Sequence, residues 1–432
     1  MDAAARGSHV RASLPEGGLF AGHDWRITPE PVPLGAKLAK QLQSLGKKLQ
    51  RFYQATDLLY RHSVEGKQPT WVHQWLDQGK PAEIIELQRH PAFKTALPRV
   101  IRPDILLTEG GWSITELDSV PGGIGLTAWL NETYSQFSNV IGGKSGMLDG
   151  FSSIFDGDHP KIIVSEESKT YRPEMEWLTS RPGSGGSVVD EQFVDWEDGD
   201  SVYRFFELFD MPNLPNAIGL LDRAKESRLN LTPPPKSFLE EKMVFALLHN
   251  RNLREFWLRE LGGKFFRELS AVIPRTWVMD PTPLSPHAAY PGLELTDWRQ
   301  LGELSQKDRQ FVLKLSGFNE RAWGSRSVRM GPDLSQVDWA QAVEEALVEF
   351  DKSPWILQQY AKPRRAEHTW FDFESNRTMQ MTGRVRLCPY CFVDGEMEVS
   401  LGGILATICP ADKKIIHGMK DAILAPCAVD VN

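Results

Sequence analysis

The stretch RPDILLTEGGWSITELDS at 102–119 constrains this chain more than any other. Two apolar runs flank a Glu109-Gly110-Gly111 turn, the pattern of an antiparallel hairpin with a short glycine-containing loop. With the turn centred on Gly110, Asp104 faces Glu116 and Arg102 faces Asp118 across the ladder. Strand side chains alternate between faces, so residues 102, 104, 116 and 118 share one side, while Pro103, Ile105, Leu107 and Leu117 make the other apolar. Like charges directly opposite one another destabilise a sheet, so the clustered carboxylates need a reason. A solvated edge, screened by water and Arg102, is the usual outcome. A hydrolytic acid–base pair needs carboxylates on opposite sides of a substrate, which one hairpin face does not supply. A divalent-cation site uses the crowding, because hard cations such as Mg²⁺ take carboxylate oxygens and keep waters or phosphate oxygens in their other positions.

At 432 residues the chain exceeds what one core usually organises, so two or three subdomains are expected. A net charge of -8 and the lack of a basic stripe argue against nucleic acid as a partner. No apolar run is long enough to span a membrane. The N-terminus, MDAAARGSHVRASLPEGG, lacks the apolar core of a secretory signal and reads as a disordered or expression-derived tail. Four cysteines and no sign of export point to a reducing cytoplasm. Cys388-Pro-Tyr-Cys391 matches a dithiol redox motif, but that chemistry needs a helix N-terminus to lower the thiol pKa. The surroundings, RVRLCPYCFVDGEMEV, instead read as a hairpin turning at Asp394-Gly395, which leaves two cysteines in a strand. His62, His73, His249, His368 and His417 are scattered without zinc-type spacing.

Leu38, Leu42, Leu45, Leu49, Phe52 and Leu59 recur at helical spacing, predicting a long amphipathic helix over 35–65, interrupted near Gly46 and able to restart at Ala55. PAEIIELQRHPAF predicts a short helix before the hairpin. The order KIIV, then EMEWLTSR, then SVVDEQFVDW predicts an α/β unit. FLEEKMVFALLHNRNLREFWLRELGG predicts helix, with Gly262-Gly263 as its cap. The four prolines of 279–296 predict a linker or long loop. FVLKLSGF and WILQQY read as strands separated by a glycine- and serine-containing loop and the helix VDWAQAVEEALVEF, and the last stretch of chain as hairpins closing a sheet. The expected division is a tail at 1–34, a segment carrying the hairpin at 35–150, an α/β subdomain at 151–285 and a lysine-strand segment at 286–432.

Lys314 lies on an apolar strand directly before a loop containing Gly317, Gly324, Ser325 and Ser327. Such a loop can lay backbone N–H groups over phosphates with an ammonium beside them. The glycine-lysine-serine order of a P-loop is absent. Further on, WILQQYAKP ends an apolar strand in Gln358, Gln359 and Tyr360, a segment whose backbone can pair with an adenine edge.

Together these pieces resemble the ATP-grasp ligases. Because the acidic hairpin precedes the lysine, their order is similar to the circularly permuted group that includes the synthetase part of glutathionylspermidine synthase. RPD at 102–104 and ELD at 116–118 resemble that group's Arg-x-Asp and Glu-x-Asn, with Asp118 where the group has Asn. The resemblance implies an α/β (α+β) fold of permuted ATP-grasp type with an additional α/β subdomain, and ATP and Mg²⁺ as cofactors. Asp104, Glu116 and Asp118 would hold the metal and Arg102 would sit against the phosphates. Lys314 would contact the α- and β-phosphates, Gly324 and Ser325 would cover the γ-phosphate, and Gln358, Gln359 and Tyr360 would form the adenine hinge. Lys242 resembles the group's second nucleotide lysine, and Arg386, rather than Arg384, the arginine that stabilises the transferred phosphoryl group. The glycine loop SVPGGIGLTAW at a helix start would offer amides to an anionic substrate or acyl phosphate.

The implied reaction joins a carboxylate to an amine through an acyl phosphate, releasing ADP and phosphate. A nucleotide-binding scaffold that has lost ligation is the competing class, with Asp118 as its sign. Sequence does not name the acid or the amine, and the oligomeric state stays open.

Overall fold

The computed structural model describes residues 1–20, 25–157, 159–182, 184, 186–413 and 420–430. It divides into two compact units: Met1–Arg51, His90–Pro235 and Lys362–Asn432 form one, Phe52–Arg89 and Lys236–Ala361 the other. The contiguous segments expected from the sequence are therefore not the units of the structure. The reason is strand pairing, because each sheet draws its strands from distant parts of the chain.

The first unit holds a seven-stranded sheet. Its order is Val32–Gly35, Ile423–Asp430, Val399–Pro410, Arg377–Val393, Val100–Thr108, Gly111–Asp118, with Arg365–Asp372 also paired to Arg377–Val393. The pairing is antiparallel except for Val32–Gly35, which runs parallel to Ile423–Asp430. This is the sheet that the C-terminal hairpins were expected to close, and Asp394-Gly395 lies in the connection between two of its strands. Helices Ile124–Tyr134 and Gly146–Ser152 pack on it through Leu126, Trp129, Leu130, Met147 and Phe151, all buried with Tyr390, Phe392 and Leu405. Aromatic side chains bury large apolar areas, which is what makes such a face adhere.

The same unit carries the α/β element. Strands Ser187–Val189, Pro160–Val164, Ser201–Phe205 and Asn230–Thr232 are all parallel, with Arg172–Thr179 among the connecting helices. Parallel strands require crossovers, as the strand–helix–strand pattern in the sequence indicated.

The expected N-terminal tail is instead part of the fold. Asp2 caps a helix, Ala3–Ala12, by accepting from the Ala5 amide at 2.8 Å, and Val10, Phe20, Trp25 and Ile27 enter the first unit's core. Small and basic residues around these few apolar anchors hide any periodicity. The predicted long helix is also divided differently: Ala36–Gln43 ends at Ser44, and Leu45–Val64 then runs without a break at Ala55. Gly46 lies inside that second helix, where a Cβ would stand 2.7 Å from Val399 Cγ1, so close approach to the sheet explains this glycine better than a helix break.

The second unit is built on a four-stranded antiparallel sheet, ordered Arg329–Met330, Phe311–Leu315, Trp355–Gln359, Thr276–Val278. Helix Gln336–Val348 covers it with Trp339, Val343 and Ala346, against Leu313, Leu315, Trp355 and Leu357. The proline-rich stretch 279–296 has no helix or strand, as its composition predicted. Gly262 interrupts Arg254–Val272 with φ 72° and ψ 155°, so the glycine pair kinks the helix rather than ending it. Among the described residues no helix is long and apolar enough to cross a membrane.

Candidate functional site

The hairpin pairs Arg102 with Asp118 and Asp104 with Glu116, as the alternation required. It reaches that register by another route. Thr108 pairs with Gly111, leaving a two-residue loop, and a bulge then shifts the ladder between Asp104 and Ile105, so that Ile105 meets Ile114 and Thr115 is the extra residue. A bulge reverses which side the following residues face. That is how Ile114 is fully buried on the apolar side while Glu116, two residues on, stands opposite Asp104.

The acidic face is closed on arginines. Arg102 reaches Asp118 Oδ2 at 2.9 Å and Asp104 Oδ1 at 3.2 Å, and Arg386 on the neighbouring strand reaches Asp104 Oδ2 at 3.2 Å. The other oxygen of Asp118 accepts from the Val120 amide at 2.9 Å, and the Cys388 thiol lies 3.4 Å from Asp104 Oδ1. Burial pushes the Asp118 carboxyl above its usual range, with Glu116 adding to the effect and Arg102 opposing it. Burial also opposes the charge on Arg102, but Asp104 and Asp118 outweigh it and hold the guanidinium firmly protonated. The oxygens suit a hard cation in kind. As placed, however, they do not fit Mg²⁺, because Asp104 and Asp118 are engaged by Arg102 and Arg386.

Arg386 is the strand arginine that meets the hairpin, whereas Arg384 donates to the Lys413 carbonyl at 2.7 Å. Cys388 and Cys391 lie in the strand Arg377–Val393 and are buried, and burial pushes both thiols up to about 12, the opposite of a redox-active dithiol. His417 lies outside the described residues.

The glycine loop after the hairpin is occupied by the protein itself. Glu174, fully buried on helix Arg172–Thr179, accepts from the Gly123 amide at 2.8 Å and the Leu126 amide at 2.9 Å. It takes the anion position at the start of helix Ile124–Tyr134 that the sequence left for a substrate. Burial raises its carboxyl to about 7 despite these amides. The Tyr390 hydroxyl donates to the Gly122 carbonyl at 2.8 Å, and a Cβ at Gly122 would fall 2.0 Å from Tyr171 Cε1. Glu174, Tyr171 and Tyr390 are neighbours of the glycine loop that sequence reading missed, since no local spacing joins residues so far apart in the chain.

The second unit gathers the other predicted residues. Lys314, 8% exposed, donates to Gln358 Oε1 at 3.0 Å across the ladder that pairs Phe311–Leu315 with Trp355–Gln359. Residues 316–328 connect the lysine strand to Arg329–Met330. Within that loop Gly324 and Ser325 have φ of 63° and 62°, a tight left-handed turn. Lys242 precedes helix Val244–His249 rather than lying on it, and its Nζ donates to the Ala322 carbonyl of the loop at 3.1 Å. The amides of Gln359 and Tyr360 are engaged by the carbonyls of Arg275 and Gln310 at 2.8 and 2.9 Å. An adenine edge at this position would therefore not be met by those two donors.

An α/β fold with parallel and antiparallel strand pairing, carrying two polar clusters, is what the structure defines. No family model matches the chain, and no curated protein matches its sequence. Among solved structures it is similar to a glutathione synthetase-like effector, GSS30, from Globodera pallida in its apo form. The TM-score is 0.54 at 9% identity, over 100% of this chain and 98% of that one, and this likeness shows a shared fold. A provisionally named gamma-glutamylcysteine synthetase from Methylobacillus flagellatus KT matches at a TM-score of 0.39 and 13% identity, over 88% of this chain and 85% of that one.

Proposed function

We propose that the chain is an ATP-dependent carboxylate–amine ligase of circularly permuted ATP-grasp type. The observation that carries this reading is the contact of Lys314 with Gln358 at 3.0 Å, on an antiparallel ladder that continues into the loop 316–328. The Lys314 side chain stands beside a neutral amide oxygen, and the loop brings backbone amides and Lys242 to the same end of the sheet. A polyphosphate is the ligand these groups would recognise.

In the proposed reaction one substrate's carboxylate oxygen bonds to the terminal phosphorus of ATP as the β,γ-bridging P–O bond breaks and ADP departs. The amine nitrogen then bonds to the acyl carbon, phosphate leaves with the C–O electron pair, and the nitrogen loses a proton. Lys314 and Lys242 neutralise the oxygens that gain charge on the nucleotide, so positioning and electrostatics supply the catalysis.

One observation favours a second reading, a nucleotide-binding scaffold without turnover: Asp104 and Asp118 are already satisfied by Arg102, Arg386 and Val120. Incubation with ATP, Mg²⁺ and mixtures of amino acids, short peptides and polyamines separates the two. ADP that appears only when an acid and an amine are both present, and is lost in Glu116→Gln, supports the ligase. Tight nucleotide binding without ADP supports the scaffold, and no nucleotide binding at all overturns both.

A further inference from the structure

The root of the loop 316–328 is held by an ion pair that plays no part in the reaction above. Lys80 and Glu241 meet at 2.5 Å with side chains only 1% exposed. Lys80 also donates to the Leu76 carbonyl at the end of helix Trp71–Asp77. The other oxygen of Glu241 accepts from the Ser316 hydroxyl, the residue immediately after the lysine strand. That hydroxyl in turn accepts from the Met243 amide at 3.0 Å, and the Ser316 carbonyl accepts from the Lys242 amide at 2.8 Å.

The next two residues are shaped by the same pair. At Gly317 a Cβ would stand 2.9 Å from Glu241 Cδ, so no side chain fits beside the carboxylate. Phe318 adopts φ 43°, in the left-handed region that non-glycine residues avoid, and its ring lies under Lys80 with the ammonium 5.8 Å from the centroid. Three consecutive residues at the start of the loop are thus fixed by one buried pair, and Glu241 is also the residue before Lys242.

We infer that Lys80 and Glu241 are positioning residues for nucleotide binding: they hold Ser316–Phe318, and with them the loop and Lys242, in the placement that receives phosphate. The inference rests on the reading of this loop as a phosphate site. A buried ion pair is weak evidence for stability, since apolar replacements of similar volume are often neutral or stabilising. Removing the hydrogen bonds to Ser316 and the cation over Phe318 nevertheless releases the loop.

The double variant Lys80→Met/Glu241→Met, and separately Ser316→Ala, should be compared with wild type by thermal melting, hydrogen exchange over 316–328 and calorimetric titration with ATP. Expected are a double variant that melts close to wild type, faster exchange confined to the loop, and ATP affinity reduced about tenfold, with a smaller loss in Ser316→Ala. Unchanged exchange and affinity in a folded double variant would overturn the inference. If the double variant fails to fold, Ser316→Ala decides alone by the same two readouts. Should wild type bind no ATP, the phosphate reading fails, and exchange still decides whether the pair anchors the loop: faster exchange keeps the anchoring, and unchanged exchange removes it.

Discussion

The acidic hairpin of the first unit and the lysine strand of the second both place charge on a sheet, and they neutralise it differently. On the hairpin the charged contacts are ion pairs: Arg102 with Asp104 and Asp118, Arg386 with Asp104. On the strand Lys314 donates a hydrogen bond to the neutral amide oxygen of Gln358. Exchanging a neutral oxygen for a phosphate oxygen gains charge attraction. Exchanging a carboxylate for one returns only what was given up. The difference teaches that, on the proposed reading, the strand is the anion-ready site, whereas the hairpin would first have to exchange its ion pairs.

The largest expected effect tests the closure of the hairpin. Arg102→Met leaves Asp104 and Asp118 without their shared cation in a buried place, and should destabilise the protein by about 3 kcal/mol. Chemical denaturation reads this directly, and a loss below about 0.5 kcal/mol would mean that water already screens these acids. A similar magnitude attaches to Glu174. Its carboxyl is raised from 4.5 to about 7, so between those values the folded state holds a proton that the unfolded state has released. Stability should therefore fall as pH rises through this window, by roughly 3 kcal/mol for this group, and level off above it. Glu174→Ala should flatten that part of the profile, and an unchanged slope would remove Glu174 from the balance.

Lys314→Met sharpens the other half of the comparison. It should weaken ATP binding by about ten- to a hundredfold in calorimetry while altering stability less than Arg102→Met does. Equal nucleotide affinity in the variant would end the claim that the strand is the anion-ready site. The smallest effect concerns the thiols: with burial holding Cys388 and Cys391 at about 12, both should resist iodoacetamide at pH 8 in the native protein and react once it is unfolded. Rapid labelling of native protein would show that the hairpin face opens to solvent.

Much of the local structure was legible. Lys314 and Gln358 lie on the strands that their apolar runs predicted, and the helix between them is where its periodicity put it. The pairing of Asp104 with Glu116 was legible too, though as the sum of a shorter loop and a bulge that no rule of alternation contains. Three things were not legible: the N-terminal helix, the carboxylate of Glu174 in the glycine loop, and the Lys80–Glu241 pair behind Ser316. Each depends on partners remote in the chain, and a window of neighbouring residues carries no trace of them.

By itself the sequence determined the elements and the chemistry each can offer, because backbone periodicity and side-chain type are local properties. Tertiary structure alone decided how the chain is shared between two units, which cation answers which carboxylate, and that the helix start after the hairpin is filled from within. Those outcomes follow from burial: a charge taken out of water must find its partner wherever the fold brings one, and only the packed chain fixes where that is.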